Sequence, residues 1–249
     1  MTDAGFVRAR RPEQKEQRRE AILAAARELG TESGVRNVTL GGVAQAVGLA
    51  KSNVVRYFGT REEIFLELAA AGWQEWELAT QARLSAETET GTGTGTGATG
   101  KAAPEGAREQ GGQAEARRTR TVSALAETLA ERPFFCDLLS HTTTTLEHNI
   151  SLEAARSFKY AAHGVISRLG AQVSAACPEL SESEGAELVQ AAAALAGTLY
   201  PVATPSPVLA ELYAADPELA AACPRMLPTL HRAVSALAVG LPALRTPGA

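Results

Sequence analysis

The sequence predicts an all-α protein: an N-terminal three-helix unit containing a helix-turn-helix, followed by a larger helical domain. Three observations carry this. Hydrophobic residues make up 45% of the 249 positions while aromatics make up only 5%, so the apolar content is mostly Ala and Leu, which favour helix over sheet. Apolar residues recur at spacings of three and four through most of the chain. Finally, the stretch TLGGVAQAVGLAKSNVVRYFGTREEIF, Thr39 to Phe65, reads as two short helices joined by a tight turn, with a further helix starting at once.

The elements follow in order. A first helix from Pro12 or Glu13 to Ser33 places Ile22, Leu23, Ala26 and Leu29 on one face and breaks at Gly34. The second opens at Thr39 and carries Leu40, Val43, Ala44 and Val47; Gly48 then supplies the positive φ of a helix C-terminus, and Leu49 resumes the apolar pattern. Between Ala50 and Phe58, Lys51, Ser52, Asn53 and Arg56 alternate with the buried-type residues Val54, Val55 and Phe58. Thr60 is the expected N-cap of a fourth helix, with Glu62 and Glu63 where the helix dipole favours acids. Its stripe of Ile64, Phe65, Leu68, Trp73 and Trp76 extends it to about Leu84.

From about 85 to 116 the pattern dissolves into a Gly-Thr repeat and polar residues, which predicts a disordered low-complexity linker. Gly95 to Gly100 matches GxGxxG, but no strand precedes it, so it reads as linker and not as a dinucleotide site. Helices are then expected over Arg117–Glu131, Phe134–Asn149, Leu152–Ala176, Ser181–Tyr200, where Ser181 and Glu184 form a capping signal, and Asp216–Val239. Pro201, Pro205 and Pro207 separate the last pair. The domains are therefore placed at 1–61 and 62–249.

Charge is asymmetric. Residues 1–61 hold 11 Lys and Arg against 6 Asp and Glu, while the remainder holds 13 against 22, so the basic end is the expected nucleic-acid end of a net acidic chain. The basic arm Arg8, Arg10 and Arg11 can reach a minor groove or stay solvated. Three scattered cysteines, Cys136, Cys177 and Cys223, suit neither a disulfide framework nor a metal knuckle. No apolar run approaches a membrane span and the polar start lacks a signal-peptide core, so a cytoplasmic protein without membrane contact is expected. No GxSxG, HExxH or P-loop pattern is present, so neither an enzyme nor a cofactor is expected.

The motif resembles the DNA-binding domain of the TetR family of bacterial transcriptional regulators. The matching residues are Gly34, Thr39, Val43-Ala44, Gly48, Lys51, Tyr57-Phe58 and Thr60-Arg61-Glu62-Glu63. Ala50 departs from the Ser that usually caps the third helix, and Val55 from an aromatic that often lies on the DNA backbone. The resemblance implies a ligand-responsive regulator, a repressor released from a near-palindromic operator by a small molecule. It places Lys51 and Tyr57 against phosphates and Ser52, Asn53 and Arg56 at base edges, with Thr39, Thr60 and Arg61 as further phosphate contacts. The alternative for Tyr57 is half-buried packing with its hydroxyl wet. It also implies a small-molecule cavity in the body, and a homodimer through the last two long helices, for which Ala191 to Leu195, Leu199, Leu230, Val234 and Leu237 are candidates. An alternative from another class is a helical sensor or scaffold that has lost DNA reading and acts through protein partners.

For the cavity, Trp73, Trp76, Phe134, Phe135, Phe158 and Tyr160 are candidate walls, joined by Leu138. His141, Thr145 and His148 share one face of the expected helix, with Thr142 beside them; polar lining and ordinary packing both fit, and a metal site lacks an acidic partner. His163 and Tyr200 are weaker candidates for the same cavity.

Overall fold

A computed structural model describes residues 6–90 and 105–245, with side chains over 13–86 and 110–245, and these residues form helices and turns without strand. The head comprises α1 (Phe6–Ser33), α2 (Leu40–Ala46) and α3 (Lys51–Val55). Ile22 and Ala26 of α1 meet Val43, Ala44, Val54 and Phe58 in its core. The chain turns where expected: Gly34 has φ 83 and Gly48 has φ 65, both in the region that favours glycine. Thr39 Oγ1 accepts from the Gly42 N–H at 3.0 Å and caps α2, whereas Ala50 offers α3 no side-chain cap.

The long α4 (Arg61–Thr90) runs from head to body. A helix of its 30 residues spans about 45 Å. Ion pairs fix it along its length: Arg19 to Glu67 and Arg27 to Glu75 from α1, and Arg168 to Glu77 from the body. Trp76 is fully buried and donates its indole N–H to Thr128 Oγ1 at 2.9 Å.

The body holds α5 (Glu105–Ala130), α6 (Pro133–His141), a π-helical turn (Thr142–Leu146), α7 (Leu152–Ala176) and α8 (Glu182–Ala203), then α9 (Pro207–Ala215), α10 (Pro217–Ala222) and α11 (Met226–Ala243). The expected bounds of α7 hold; Ser151 caps it through the Ala154 N–H at 3.2 Å. The capping box of Ser181 and Glu184 is also formed.

Other expectations are corrected. Residues 85–90 and 105–116 of the expected linker are helical, and the GxGxxG match lies outside the described residues. The helix after Phe134 ends at His141 in a π turn and does not run to Asn149. The final expected helix is interrupted at Cys223 to Arg225, where Pro224 blocks continuation, so Asp216 caps only the short α10. Leu230, Val234, Ala192 and Ala193 are buried within the single chain, so they fill its own core and are not available to a partner.

α7 and α8 touch backbone to backbone. A Cβ on Gly170 would lie 2.6 Å from Ala186 Cα, and one on Gly185 would run into the Gly170 carbonyl. Backbone cannot move aside as a flexible side chain can. Gly185→Val is therefore expected to destabilise the body by about 2 kcal/mol or more, as overpacking in a closed core does. A thermal melt within a degree or two of the parent would show that the helices can separate freely.

Candidate functional site

The first half of the site is the outer face of α3. Lys51, Ser52, Asn53 and Arg56 are exposed, and none has an ion pair or side-chain hydrogen bond among the described residues. Val54 and Phe58 anchor the element from below, so these four side chains project together from a fixed base. Tyr57 is half-buried and packs on the core, while Val55 is 43% exposed. The short helix presents cations and amide or hydroxyl groups, the chemistry that reads DNA grooves.

Thr60 caps α4 as expected, whereas Arg61 departs from the phosphate contact expected of it. Thr60 Oγ1 accepts the Glu63 N–H at 3.1 Å and Glu63 in turn accepts the Gly59 N–H at 2.9 Å, so the pair caps α4. Arg61 points inward: its Nε donates to the Val38 carbonyl at 2.5 Å, another guanidinium nitrogen donates to the Val35 carbonyl, and the group lies 4.7 Å over the Phe65 ring. Its donors are engaged within the head. Arg61 is thus a clamp on the 35–38 turn and not a free phosphate ligand.

The second half is a cavity of about 500 Å³ between α4, α6 with its π turn, α7 and α8. Of the expected lining, Trp73, Thr142 and Phe158 border it, and so does His163. Leu139, Ala162, Ile166, Ala193 and Gly197 complete the apolar walls. Sequence reasoning missed these because small and aliphatic residues on α6, α7 and α8 look like ordinary packing.

The remaining expected lining lies elsewhere. Phe135, 5.6 Å from the Trp73 ring in an edge contact, forms a layer behind the wall, and Trp76 and Leu138 are fully buried in the core. Phe134 packs against Gly30 of α1. Tyr160 is 75% exposed, on the outer side of α7. His148 is exposed beyond the π turn, and Tyr200 borders a separate cleft with Cys136 and Met226.

His141 and Thr145 do come together, but in a smaller cleft facing the head, with Arg36, Arg61 and Leu146. Here body and head are stitched. Asp137 of α6 accepts the Val35 N–H at 2.7 Å and faces His141 Nε2 at 3.5 Å. Glu63 at the start of α4 accepts the Ser151 N–H at 2.8 Å. One π turn therefore borders the cavity through Thr142 to Thr144 and the head junction through Thr145 and Leu146. Among the described residues no three His, Cys, Asp or Glu groups are placed to hold a metal. Burial pushes the Cys136 thiol up to about 12 and the Cys177 thiol up to about 11, so both stay protonated near neutral pH. No described helix is long and apolar enough to cross a membrane.

A helix-turn-helix head with a charged outer face, joined by one long helix to a hollow helical body, is the build of a DNA-binding transcriptional regulator. Residues 22–68 match the bacterial regulatory proteins of the tetR family, and residues 100–245 match the tetracyclin repressor-like C-terminal domain. The chain belongs to the TetR family of transcriptional regulators. Among solved structures it is similar to FadR of Thermus thermophilus, a TetR family transcriptional repressor seen with lauroyl-CoA, at 15% identity and a TM-score of 0.50 over 93% of this chain and 98% of that one. It is also similar to the fatty acid degradation regulator FadR of Bacillus halodurans, at 15% identity and TM-score 0.49 over 91% and 99%. PfmR of Thermus thermophilus, a TetR family regulator, shares 20% identity at TM-score 0.46 over 88% and 98%. No curated protein matches the chain significantly.

Proposed function

We propose that this protein is a homodimeric repressor in the cytoplasm that binds a near-palindromic double-stranded operator and is released when a small molecule fills the body cavity. Lys51 and Tyr57 hold phosphates, with Thr39 at the start of α2, while Ser52, Asn53 and Arg56 reach base edges. The observation that carries the reading is the junction: Asp137, on the helix that leads into the cavity-lining π turn, holds the Val35 N–H at the base of the head at 2.7 Å. An occupant that displaces the π turn shifts that anchor and with it the head. Two heads must span successive major grooves about 34 to 36 Å apart, and only an effector that binds the two spacings unequally can drive release.

The test is titration of the DNA upstream of the protein's own gene at increasing salt. Counterion release makes the affinity of a true DNA reader fall steeply, with a slope of about −0.9 per phosphate neutralised. Flat salt dependence would favour the helical sensor or scaffold working through protein partners.

The dimer reading rests on exposed apolar residues near the end of the fold. Val208, Leu209 and Leu212 of α9 and Leu219 of α10 are 41 to 73% exposed, and neither helix buries any residue in the single chain. A second copy is the natural cover for such a face in a two-headed reader. Introducing Asp at both Leu209 and Leu212 is expected to yield a monomer in sedimentation and to reduce operator affinity by at least tenfold, since one head makes half the contacts. A dimer of unchanged strength would move the interface away from α9.

A further inference from the structure

Most hydroxyls of the cavity share one arrangement. Ser140, Thr142, Thr144 and Thr198 all border it, yet each hydroxyl donates to a backbone carbonyl of its own segment: Ser140 to Asp137 at 2.7 Å, Thr142 to Leu138 at 2.8 Å, Thr144 to Ser140 at 3.3 Å and Thr198 to Ala194 at 3.0 Å. A hydroxyl whose hydrogen is engaged in such a bond offers a ligand its lone pairs. While these bonds hold, the four hydroxyls turn lone pairs and not protons toward the cavity.

Charge is balanced in the same way. The lining holds one lysine and one carboxylate, Lys159 and Glu147, and they bond to each other at 2.7 Å. The ammonium also lies 5.8 Å from the Phe158 ring, so it is held at the margin by groups already present. An incoming carboxylate or phosphate would have to share this ammonium with Glu147, whose own negative charge opposes it. The floor below, Trp73, Phe158, Ala162 and Ala193, is buried and apolar. The polar residues without such bonds, Thr143, His163 and Gln190, are exposed at the rim.

We infer that the cavity takes an uncharged apolar molecule carrying a hydroxyl or N–H donor, an alcohol or phenol, and not a carboxylate or a coenzyme A thioester. The inference rests on the effector reading proposed above. A hydroxyl placed against Thr142 finds a waiting acceptor, while the rest of the molecule lies on Trp73 and Phe158. A coenzyme A moiety brings several phosphate charges to a wall with one lysine that is already paired.

Four probes of similar chain length separate the terms: 1-decanol, methyl decanoate, decanoate and lauroyl-CoA. Trp73 and Trp76 are the only tryptophans, and Trp73 borders the cavity, so intrinsic fluorescence reads occupancy, with calorimetry as a check. 1-Decanol is expected to bind about 3- to 10-fold more tightly than methyl decanoate, as one neutral hydrogen bond allows, with decanoate and lauroyl-CoA weaker still. Thr142→Val, which keeps the shape and removes the acceptor, should bring the alcohol down to the ester, and Thr198→Val serves as a second variant if the first fails to fold. Equal binding of alcohol and ester overturns the donor requirement, and tightest binding of decanoate or lauroyl-CoA overturns the neutral one; both leave the effector cavity itself standing. If none of the four perturbs the fluorescence or gives heat, the cavity is not a small-molecule site and the effector reading falls with the inference.

Discussion

Arg56→Ala is expected to lower affinity for the operator about 5- to 150-fold while leaving binding to a scrambled duplex nearly unchanged. A base-reading arginine is worth about 1 to 3 kcal/mol of discrimination. Arg56 is exposed and makes no side-chain bond among the described residues, so its removal takes nothing from the fold of the head. Lys51→Ala supplies the contrast. A phosphate contact contributes to every duplex, so that variant should weaken both DNAs alike and reduce the salt slope by about one unit. Anisotropy titrations of the two variants on the two duplexes check this, and equal losses for Arg56→Ala would place it among the phosphate contacts.

The head was legible in the sequence because its devices are local. Gly34 and Gly48 take the positive φ their positions imply, and Thr39 caps α2 through a bond three residues away. The same holds for the limits of α7 and for the Ser181 capping box. Composition misled at the linker. Residues 105–116 carry three glycines and lack an apolar stripe, which argues against order, but the other nine are Ala, Glu, Gln and Arg, good helix formers that continue the packed part of α5.

Less than half of the cavity's expected lining borders it, for two separate reasons. One was avoidable. Phe158, Ala162, Val165 and Leu169 are buried at helical spacing, and Tyr160, two residues from Phe158, falls about 200° around the same helix, so its exposure follows from periodicity. The other was not. Grouping His141, Thr145 and His148 assumed a continuous α-helix, and the π turn at Thr142–Leu146 changes the residue spacing there. It sends Thr142 to Thr144 to the cavity and Thr145 to the head, a division that four consecutive threonines do not announce.

Arg61 shows the limit of carrying a role over from a motif, and its replacement should decide between the two roles. Arg61→Ala is expected to destabilise the protein by about 3 kcal/mol or more, because it removes charge-assisted bonds to two backbone carbonyls of the 35–38 turn. For a chain of this length that is a fall in melting temperature of roughly 6 to 12 °C. Arg61→Lys should recover less than half of the loss, since a single ammonium cannot span the Val35 and Val38 carbonyls as the guanidinium fork does. The turn that Arg61 holds is also the turn whose Val35 N–H is bound by Asp137, so loosening it should weaken operator binding indirectly. Its signature is a lower affinity at an unchanged salt slope. A phosphate contact predicts the opposite pair of results, an unaltered melt and a slope reduced by about one unit. Melting curves and salt titrations of the same two variants therefore separate a clamp within the head from a hand on the DNA.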